Sequence, residues 1–293
     1  MEKNLRRHPL QHAYLIMAHN EKKLLGTLLS MLDRPNNDIY LHLNIRTPFE
    51  ADFELKHAKL HLVERQHVTW GGTAIMGIML LLMEEATKTH HDYYHYISGS
   101  DLPIQTQEDT DRFFEENKGK EFLCMDYEAI ESGNFLHRVK YYHLKPSENR
   151  KVQRVLDSLQ TAYNALQKFV GIDRTKQCSM KFYKSDSWFD LSEDFVRYAL
   201  DKMRNDPECI RAFRSTTICD EVFLPTLLMA SPYKDNLCDK ALHYIRWKEG
   251  NAHPETLDPS YLDDLKASDC LFARKFNSAV SGDLIDKVCE LYG

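Results

Sequence analysis

The stretch whose reading decides the fold is DYYHYISGSDLP, Asp92–Pro103. Tyr93, Tyr94, Tyr96 and Ile97 are residues that favour a buried strand. The apolar run then stops at Ser98-Gly99-Ser100-Asp101, and Pro103 stiffens the exit. A strand ending in a glycine between two serines, followed by a carboxylate, reads as a sheet element delivering a polar loop to an edge. Working outward, AYLIMA (Ala13–Ala18), IYLHLN (Ile39–Asn44) and KLHLV (Lys59–Val63) are further short strand-like runs. Between them, Glu21–Leu32 places Leu24, Leu25, Leu28, Leu29 and Leu32 on one helical face, and Ile75–Thr87 is a strongly apolar helix. Asp33–Asn37 is a turn. The alternation predicts an α/β fold, a parallel sheet with helices on both faces. Such sheets bind ligands at the carboxyl ends of their strands. The loops near His19, Asn44, Trp70-Gly71-Gly72 and Ser98–Asp101 should therefore gather at one edge.

The remainder of the chain is mixed. Phe122–Met125 and Arg138–His143 read as strands. Lys151–Val170 carries Val152, Val155, Leu156, Leu159, Tyr163, Leu166, Phe169 and Val170 at helical spacing, with Gly171 as a stop. It reads as a surface helix packed by that apolar face. Ser192, followed by Glu193 and Asp194, has the signals of a helix start. There is no internal repeat, low-complexity tract or linker, so the 293 residues are expected to form a single domain.

A formal net charge of -6 argues against a dedicated nucleic-acid binder. AYLIMA and IMGIMLLLM (Ile75–Met83) are too short for a membrane span, which predicts a soluble, cytoplasmic protein. The seven cysteines form no C-x-x-C pair and read as free thiols in a reducing compartment. The 14 histidines lack zinc-ligand spacing, so no metal is expected from them.

Several sites of chemistry are excluded or left open by the motifs. No G-x-G-x-x-G, Walker or G-x-S-x-G sequence occurs. D-x-D, a carboxylate pair able to hold a divalent ion, occurs once, as Asp109-Thr110-Asp111. Its position before Phe113 and Phe114 suits the first turn of a helix better than a metal site. Asp220-Glu221 precedes an apolar segment, where two acids could either satisfy a helix dipole or supply a general base. Arg274-Lys275 lies between Phe272 and Phe276, as a solvated basic pair or as a clamp on a diphosphate. Trp188 and Trp247 could stack on a sugar or fill the core, and taken alone they favour the core.

The ordered set YLIMAH (Tyr14–His19), YLHLNIR (Tyr40–Arg46), VTWGGTAIM (Val68–Met76), YYHYISGSDLPIQT (Tyr93–Thr106), SWFDLSEDFV (Ser187–Val196), CDEVFLPTLL (Cys219–Leu228), LHYIRW (Leu242–Trp247) and LFARKF (Leu271–Phe276) resembles a known family. It is similar to the core-2/I-branching β-1,6-N-acetylglucosaminyltransferases and the peptide O-xylosyltransferases. The resemblance implies a GT-A-like, Rossmann-type nucleotide-sugar sheet with a mixed α/β second half. About 1–120 would be the nucleotide-binding half and about 121–293 the acceptor and catalytic half.

It also implies an inverting, metal-independent transfer from a UDP-sugar, with no cofactor. Glu221 corresponds to the catalytic base and Lys275 to a diphosphate-binding lysine. The implied donor site comprises His19, Asn44, Arg46, Gly71, Gly72, Ser98, Gly99, Asp101, His243, Arg246, Arg274 and Lys275. Trp188, Asp220 and Trp247 are the implied acceptor contacts. Asp101 is expected to point into the donor pocket, and Gly99 to let the backbone approach a ligand.

Three departures from the family pattern stand out. His42-Leu43-Asn44 replaces the usual H-V-D, and Ser185-Asp186-Ser187 precedes the tryptophan where the family shows G-S. His243 replaces an arginine, for which Arg246 or a protonated His243 would have to substitute. N-acetylglucosamine is the first donor expectation and xylose the second. The acceptor is expected to be a saccharide, with a lipid-linked one among the options, met in the cytoplasm or at the inner membrane face. The non-enzymatic alternative is a degenerate relative that binds nucleotide or glycan without turnover.

Overall fold

A computed structural model describes residues 9–69, 71–248, 250 and 253–293. Trp70, named above with the Gly71-Gly72 turn, lies outside the described residues. The decisive stretch forms β4 (Tyr93–Ser98), in the middle of a seven-stranded sheet ordered β3-β2-β1-β4-β7-β6-β8. The others are β1 (His12–Ala18), β2 (Asn37–Leu43), β3 (Lys59–Val63), β6 (Glu121–Met125), β7 (Ser185–Ser192) and β8 (Leu237–Cys238). β3, β2, β1 and β4 are parallel neighbours. β7 runs against both β4 and β6, so it alone is reversed. A small second sheet joins β5 (Leu102–Pro103), β10 (Phe272–Arg274) and β9 (His243–Ile245).

Helices cover both faces because successive strand residues point to opposite sides. Ala13 and Leu15 of β1 enter one core with α2 (Ala74–Ala86) and α7 (Glu193–Asn205). Tyr14, Ile16 and Ala18 enter the other with α1 (Lys22–Met31) and the C-terminal α11 (Gly282–Tyr292). The expected Ser192 cap is formed, its side chain accepting from Phe195 N. α3 (Gln107–Glu116) begins with Thr106 as cap and holds Glu108 and Asp109 in its first turn, as the D-x-D reading anticipated. Shorter helices are α4 (Tyr127–Ser132), α5 (His137–Lys140), α8 (Pro207–Phe213), α9 (Phe223–Met229) and α10 (Leu262–Ala267). The main sheet takes strands from both halves of the chain, and each of the two cores includes residues of both halves.

Two sequence expectations are corrected. Arg138–His143 is not a strand: His137–Lys140 is helical, and the extended residues after it have no strand beside them. Their backbone is paired instead by glutamine side chains of α6 (Arg150–Phe169). Gln167 Oε1 accepts from Tyr142 N at 2.8 Å, and Gln160 Oε1 accepts from Leu144 N at 2.7 Å. Both amides donate back to Tyr142 O. An amide side chain can meet a backbone N–H and C=O as a neighbouring strand would.

That bonding turns α6 the other way from the prediction. Its polar side faces the protein, and Gln167 is its only fully buried residue. The apolar series was expected to pack inward, yet Val152, Val155, Leu159, Leu166, Phe169 and Val170 are exposed.

Candidate functional site

The site grows from the loop that opened the analysis. Ser98 N and Ser98 Oγ each donate to the Asp101 carboxylate at 2.7 Å, closing a tight turn beyond β4. A Cβ on Gly99 would lie 2.6 Å from Ala18 Cβ. Glycine is needed here so that the loop can press against the end of β1, rather than for approach to a ligand. Asp101 is fully buried. Its carboxylate is spent on Ser98 and on Arg274, whose Nη1 is 3.5 Å away, instead of facing an open pocket. Burial raises its pKa, opposed by Arg274 and the Ser98 bonds. Phe276 N donates to Ser100 O at 2.9 Å, which fastens the Arg274-Lys275 segment to the same turn.

β7 supplies the centre of the site. Because it is reversed, its first residues lie at the carboxyl edge of the parallel strands. The pairing of Tyr96 with Phe189 places Trp188 and Ser187 level with the end of β4. Lys184 Nζ is 3.4 Å from Glu221 Oε2, and Ser187 Oγ donates to Asp220 Oδ2 at 2.9 Å. The Arg274 guanidinium sits 4.0 Å above the Trp188 ring centre, a cation–π contact. Five consecutive residues thus connect the acid pair to the basic pair.

The acid pair stands on strained backbone. Ile218 has φ 44 and Ser215 φ 59, a region that a β-branched residue such as isoleucine rarely enters. Such conformations cost of order 1–3 kcal/mol and persist where surrounding contacts hold them. Here Thr217 N donates to Arg138 O, the Thr217 hydroxyl donates to Gly71 O, and Cys219 is buried. Glu221 follows in a 3-10 turn with a quarter of its side chain exposed, and Oε2 accepts from Arg138 Nη1 at 2.5 Å. Asp220 is buried, and burial followed by the Glu221 charge pushes its pKa up to about 6. Its Oδ1 has no hydrogen-bond partner. Asp186 is also raised, first by burial.

On the donor side, His19 is exposed at the end of β1. Its pKa is lowered by desolvation and then by the Lys275 charge. Asn44 donates to Val68 O at 3.0 Å and accepts from Arg46 N at 3.1 Å, ordering the loop after β2. Arg46 turns outward and pairs with Glu148, which also meets His67 at 3.2 Å. Gly71 has φ 83, and a Cβ on Gly72 would crowd Pro146 at 3.0 Å.

His243 corrects the expectation that it could act as a cation. It is buried between Trp188 and Phe272, ring centres 5.3 and 5.0 Å away. Desolvation, then Arg274, pushes its pKa down to about 3, so it is neutral at physiological pH. Trp188, stacked also on Tyr96 at 5.6 Å, supports Arg274 from beneath rather than offering a free sugar platform. Arg246 lies beside Tyr244 and Tyr261, whose phenols feel its charge. Trp247 next to it is 58% exposed.

Sequence reasoning missed Arg138, Lys184 and Asp186 as members of this cluster. The Trp188-Phe189 pair within Ser185–Ser192 was a usable strand signal. Nothing in the sequence pointed to the meeting of Arg138 with Glu221, which are 83 residues apart. Asp111 of the D-x-D, by contrast, lies at the amino edge, 3.2 Å from His12 at the start of β1. The larger clefts lie outside the cluster: ≈ 480 Å³ beside Asp33, Asp52 and Lys56, ≈ 390 Å³ beside Lys181, Tyr198 and Lys202, and ≈ 380 Å³ beside Tyr142, Arg174 and Arg211. None of these three is lined by Glu221 or Lys275, and the chemistry of the acid–base cluster rather than cavity volume marks it out.

Comparison with known proteins gives a consistent grouping. The family model described as "Branch: Core-2/I-Branching enzyme" matches residues 12–269. The chain is similar to the xylosyltransferase oxt of Drosophila melanogaster, at 24% identity, covering 91% of this chain and 32% of that protein. It is similar to the β-glucuronosyltransferase GlcAT14A of Arabidopsis thaliana, at 25% identity, covering 96% of this chain and 64% of that protein. Xylosyltransferase 2 of Canis lupus familiaris is 23% identical, with 97% and 34% covered. The chain therefore spans about a third of each xylosyltransferase and under two thirds of the plant protein. Among solved structures, Staphylococcus aureus TarS 1-349 matches 40% of this chain and 36% of that chain, with TM-score 0.29 and 12% identity, too partial a likeness to bear on the fold.

Proposed function

The chain belongs to the Core-2/I-Branching enzyme family, and from that premise we propose that it moves a sugar from a UDP-sugar to a hydroxyl of a saccharide acceptor, with inversion and without a metal ion. One observation carries the reading: Lys184–Trp188, at the start of β7, joins the Asp220-Glu221 acids to Arg274, and so to the Arg274-Lys275 pair, at the carboxyl edge of the sheet. Glu221 takes the proton of the acceptor hydroxyl as its oxygen attacks the anomeric carbon. The bond from that carbon to the diphosphate oxygen breaks on the opposite face, and UDP departs with the electron pair. A single displacement inverts the centre. Arg274 and Lys275 offset the charge that develops on the diphosphate. Arg274, paired with Asp101 through Nη1 and stacked on Trp188, holds its charge at that edge beside Lys275. Both cationic contacts of Glu221, from Arg138 and Lys184, are made to Oε2, which orients the carboxylate towards an acceptor through Oε1. The metal-free reading is supported by these cations and by the place of the one D-x-D, at the opposite edge of the sheet.

Asp220 is a second reading for the base, favoured by its raised pKa of about 6 and its unpartnered oxygen. For the donor, the sequence resemblance ranks N-acetylglucosamine before xylose, while the relatives' names add glucuronic acid, so three UDP-sugars belong in the assay. The test is thermal unfolding with UDP, together with transfer from each UDP-sugar with and without EDTA. Wild type should be stabilised by UDP in both conditions. Glu221→Gln should keep that stabilisation and lose transfer by roughly 10²–10⁴-fold. Near-normal transfer by Glu221→Gln with loss in Asp220→Asn would move the base to Asp220. Indifference to UDP would overturn the donor site, and loss of the UDP response in EDTA would overturn the metal-free reading.

A further inference from the structure

The 20-residue α6 is amphipathic with its polarity reversed. Gln153, Gln160 and Gln167 hold it to residues 142–147 through backbone bonds of 2.6–2.8 Å. This leaves Val155, Leu159 and Leu166 each more than half exposed and Phe169 89% exposed, along one side of the helix with Val152 and Val170. Singly exposed apolar residues are ordinary, but a continuous stripe is not. Buried glutamine bonding fixes its direction: rolling the stripe inward would break the bonds that replace a strand beside Tyr142 and Leu144. One flank of the stripe is basic. Arg150, Lys151, Arg154 and Lys168 face a single acid, Asp157, on a chain whose net charge is -6. Arg174, Arg211 and Arg214 line the cleft reached through Tyr142, with Glu208 the one acid among its lining residues.

We propose that α6 docks the protein on an anionic lipid surface, lying in the interface with its stripe among the acyl chains and its cations against the headgroups. This combination of apolar stripe, cationic flank and low overall hydrophobicity is what interfacial helices use. A second copy of the chain fits less well. A stripe of 20 residues is about 30 Å long and, one helix wide, roughly 10 Å across. It offers on the order of 300 Å², against the roughly 800 Å² per partner of a stable protein interface. The position of α6 connects it with the acid–base cluster. Pro146 and Glu148, just before the helix, touch the Gly72 turn and Arg46, and Arg138 of the same segment holds Glu221. Docking on α6 would bring this edge of the sheet close to the lipid surface, where a saccharide carried on lipid is met.

The test is flotation of the full chain with vesicles of phosphatidylcholine mixed with phosphatidylglycerol, against phosphatidylcholine alone. Wild type should float with the anionic vesicles, and less so as salt is raised. Leu159→Glu/Leu166→Glu, at exposed positions, should keep the wild-type unfolding temperature and lose vesicle affinity by at least about tenfold, the loss expected when two leucines are withdrawn from apolar contact. Its UDP-induced stabilisation should be unchanged, so failure of docking and failure of the donor site are read separately. Wild type that ignores anionic vesicles, or a double variant that floats as wild type does, would overturn the proposal. So would a wild-type dimer in light scattering that the double variant converts to monomer, because the stripe would then be covered by a second copy.

Discussion

The main sheet carries two polar clusters, one sealed within it and one open at its edge, and their difference separates structure from chemistry. In the sealed cluster, Asp190 lies 2.7 Å from His95 Nδ1, His95 Nε2 lies 2.8 Å from His12 Nδ1, and His12 Nε2 reaches Asp111 at 3.2 Å. Tyr14 and Phe114 close over the His95 ring at 4.8 Å. Burial pushes Asp190 up and His95 down, which favours a neutral Asp190–His95 hydrogen bond over an ion pair. At the open cluster, Asp220 Oδ1, Arg138 Nε and Arg274 Nε have no hydrogen-bond partner among the described residues, and the backbone at Ile218 is strained. The buried network, paired except at His12 Nε2, which approaches Asp111 without a formed hydrogen bond, fixes the fold. Unpaired polar atoms beside strained backbone mark a place completed by a ligand.

That contrast can be broken by exchanging the expected consequences. Lys275→Met should have the largest effect, lowering UDP affinity roughly 10- to 100-fold, as loss of a charge-assisted contact predicts, with little change in unfolding temperature. Calorimetric titration with UDP checks it, and unchanged affinity would remove Lys275 from the donor site. Asp190→Leu should do the reverse. Stranding His95 Nδ1 should cost about 1–3 kcal/mol of stability in urea unfolding while leaving UDP affinity of the folded protein unchanged. Weakened UDP binding there would mean that the sealed cluster is not purely structural.

The smallest effect is a slope. Glu121, beside this cluster at the start of β6, is pushed up to about 7 by burial, although Ser192 N donates to it at 2.8 Å. Its folded pKa exceeds the ordinary 4.5, so the folded state holds the proton more tightly. Its contribution favours folding below about 4.5 and is lost as pH rises to about 7. Stability should therefore fall across that window by no more than about 1.4 kcal/mol per pH unit from this group. Glu121→Gln should flatten the fall in urea titrations at several pH values, and an unaltered slope would assign it to other groups.

The parts of the molecule legible in the sequence are those set by near neighbours. β1, β2, β3 and β4 follow from short apolar runs, and α1 and α7 from leucine spacing and the Ser192 cap. Long-range competition decided the rest. Val139 and Tyr141 are buried at alternate positions, as a strand would have them, but α6 glutamines took the hydrogen bonds a neighbouring strand would have made. Gly99 was legible as a glycine needed for close approach, while its neighbour, Ala18, was not. His243 looked like a spare cation until Trp188 and Phe272 were seen to enclose it.

By itself, then, the sequence determined the alternation of strand and helix, the edge to which the polar loops travel, and the order of motifs that places the chain in its family. Those properties depend on periodicity and caps within a few residues. Only the tertiary structure decided that Arg138 and Lys184 hold Glu221, that Asp101 is spent on Ser98 and Arg274, and that α6 turns its apolar side outward. Each of these is settled by which distant partner satisfies a buried polar atom, and burial makes that choice costly to get wrong.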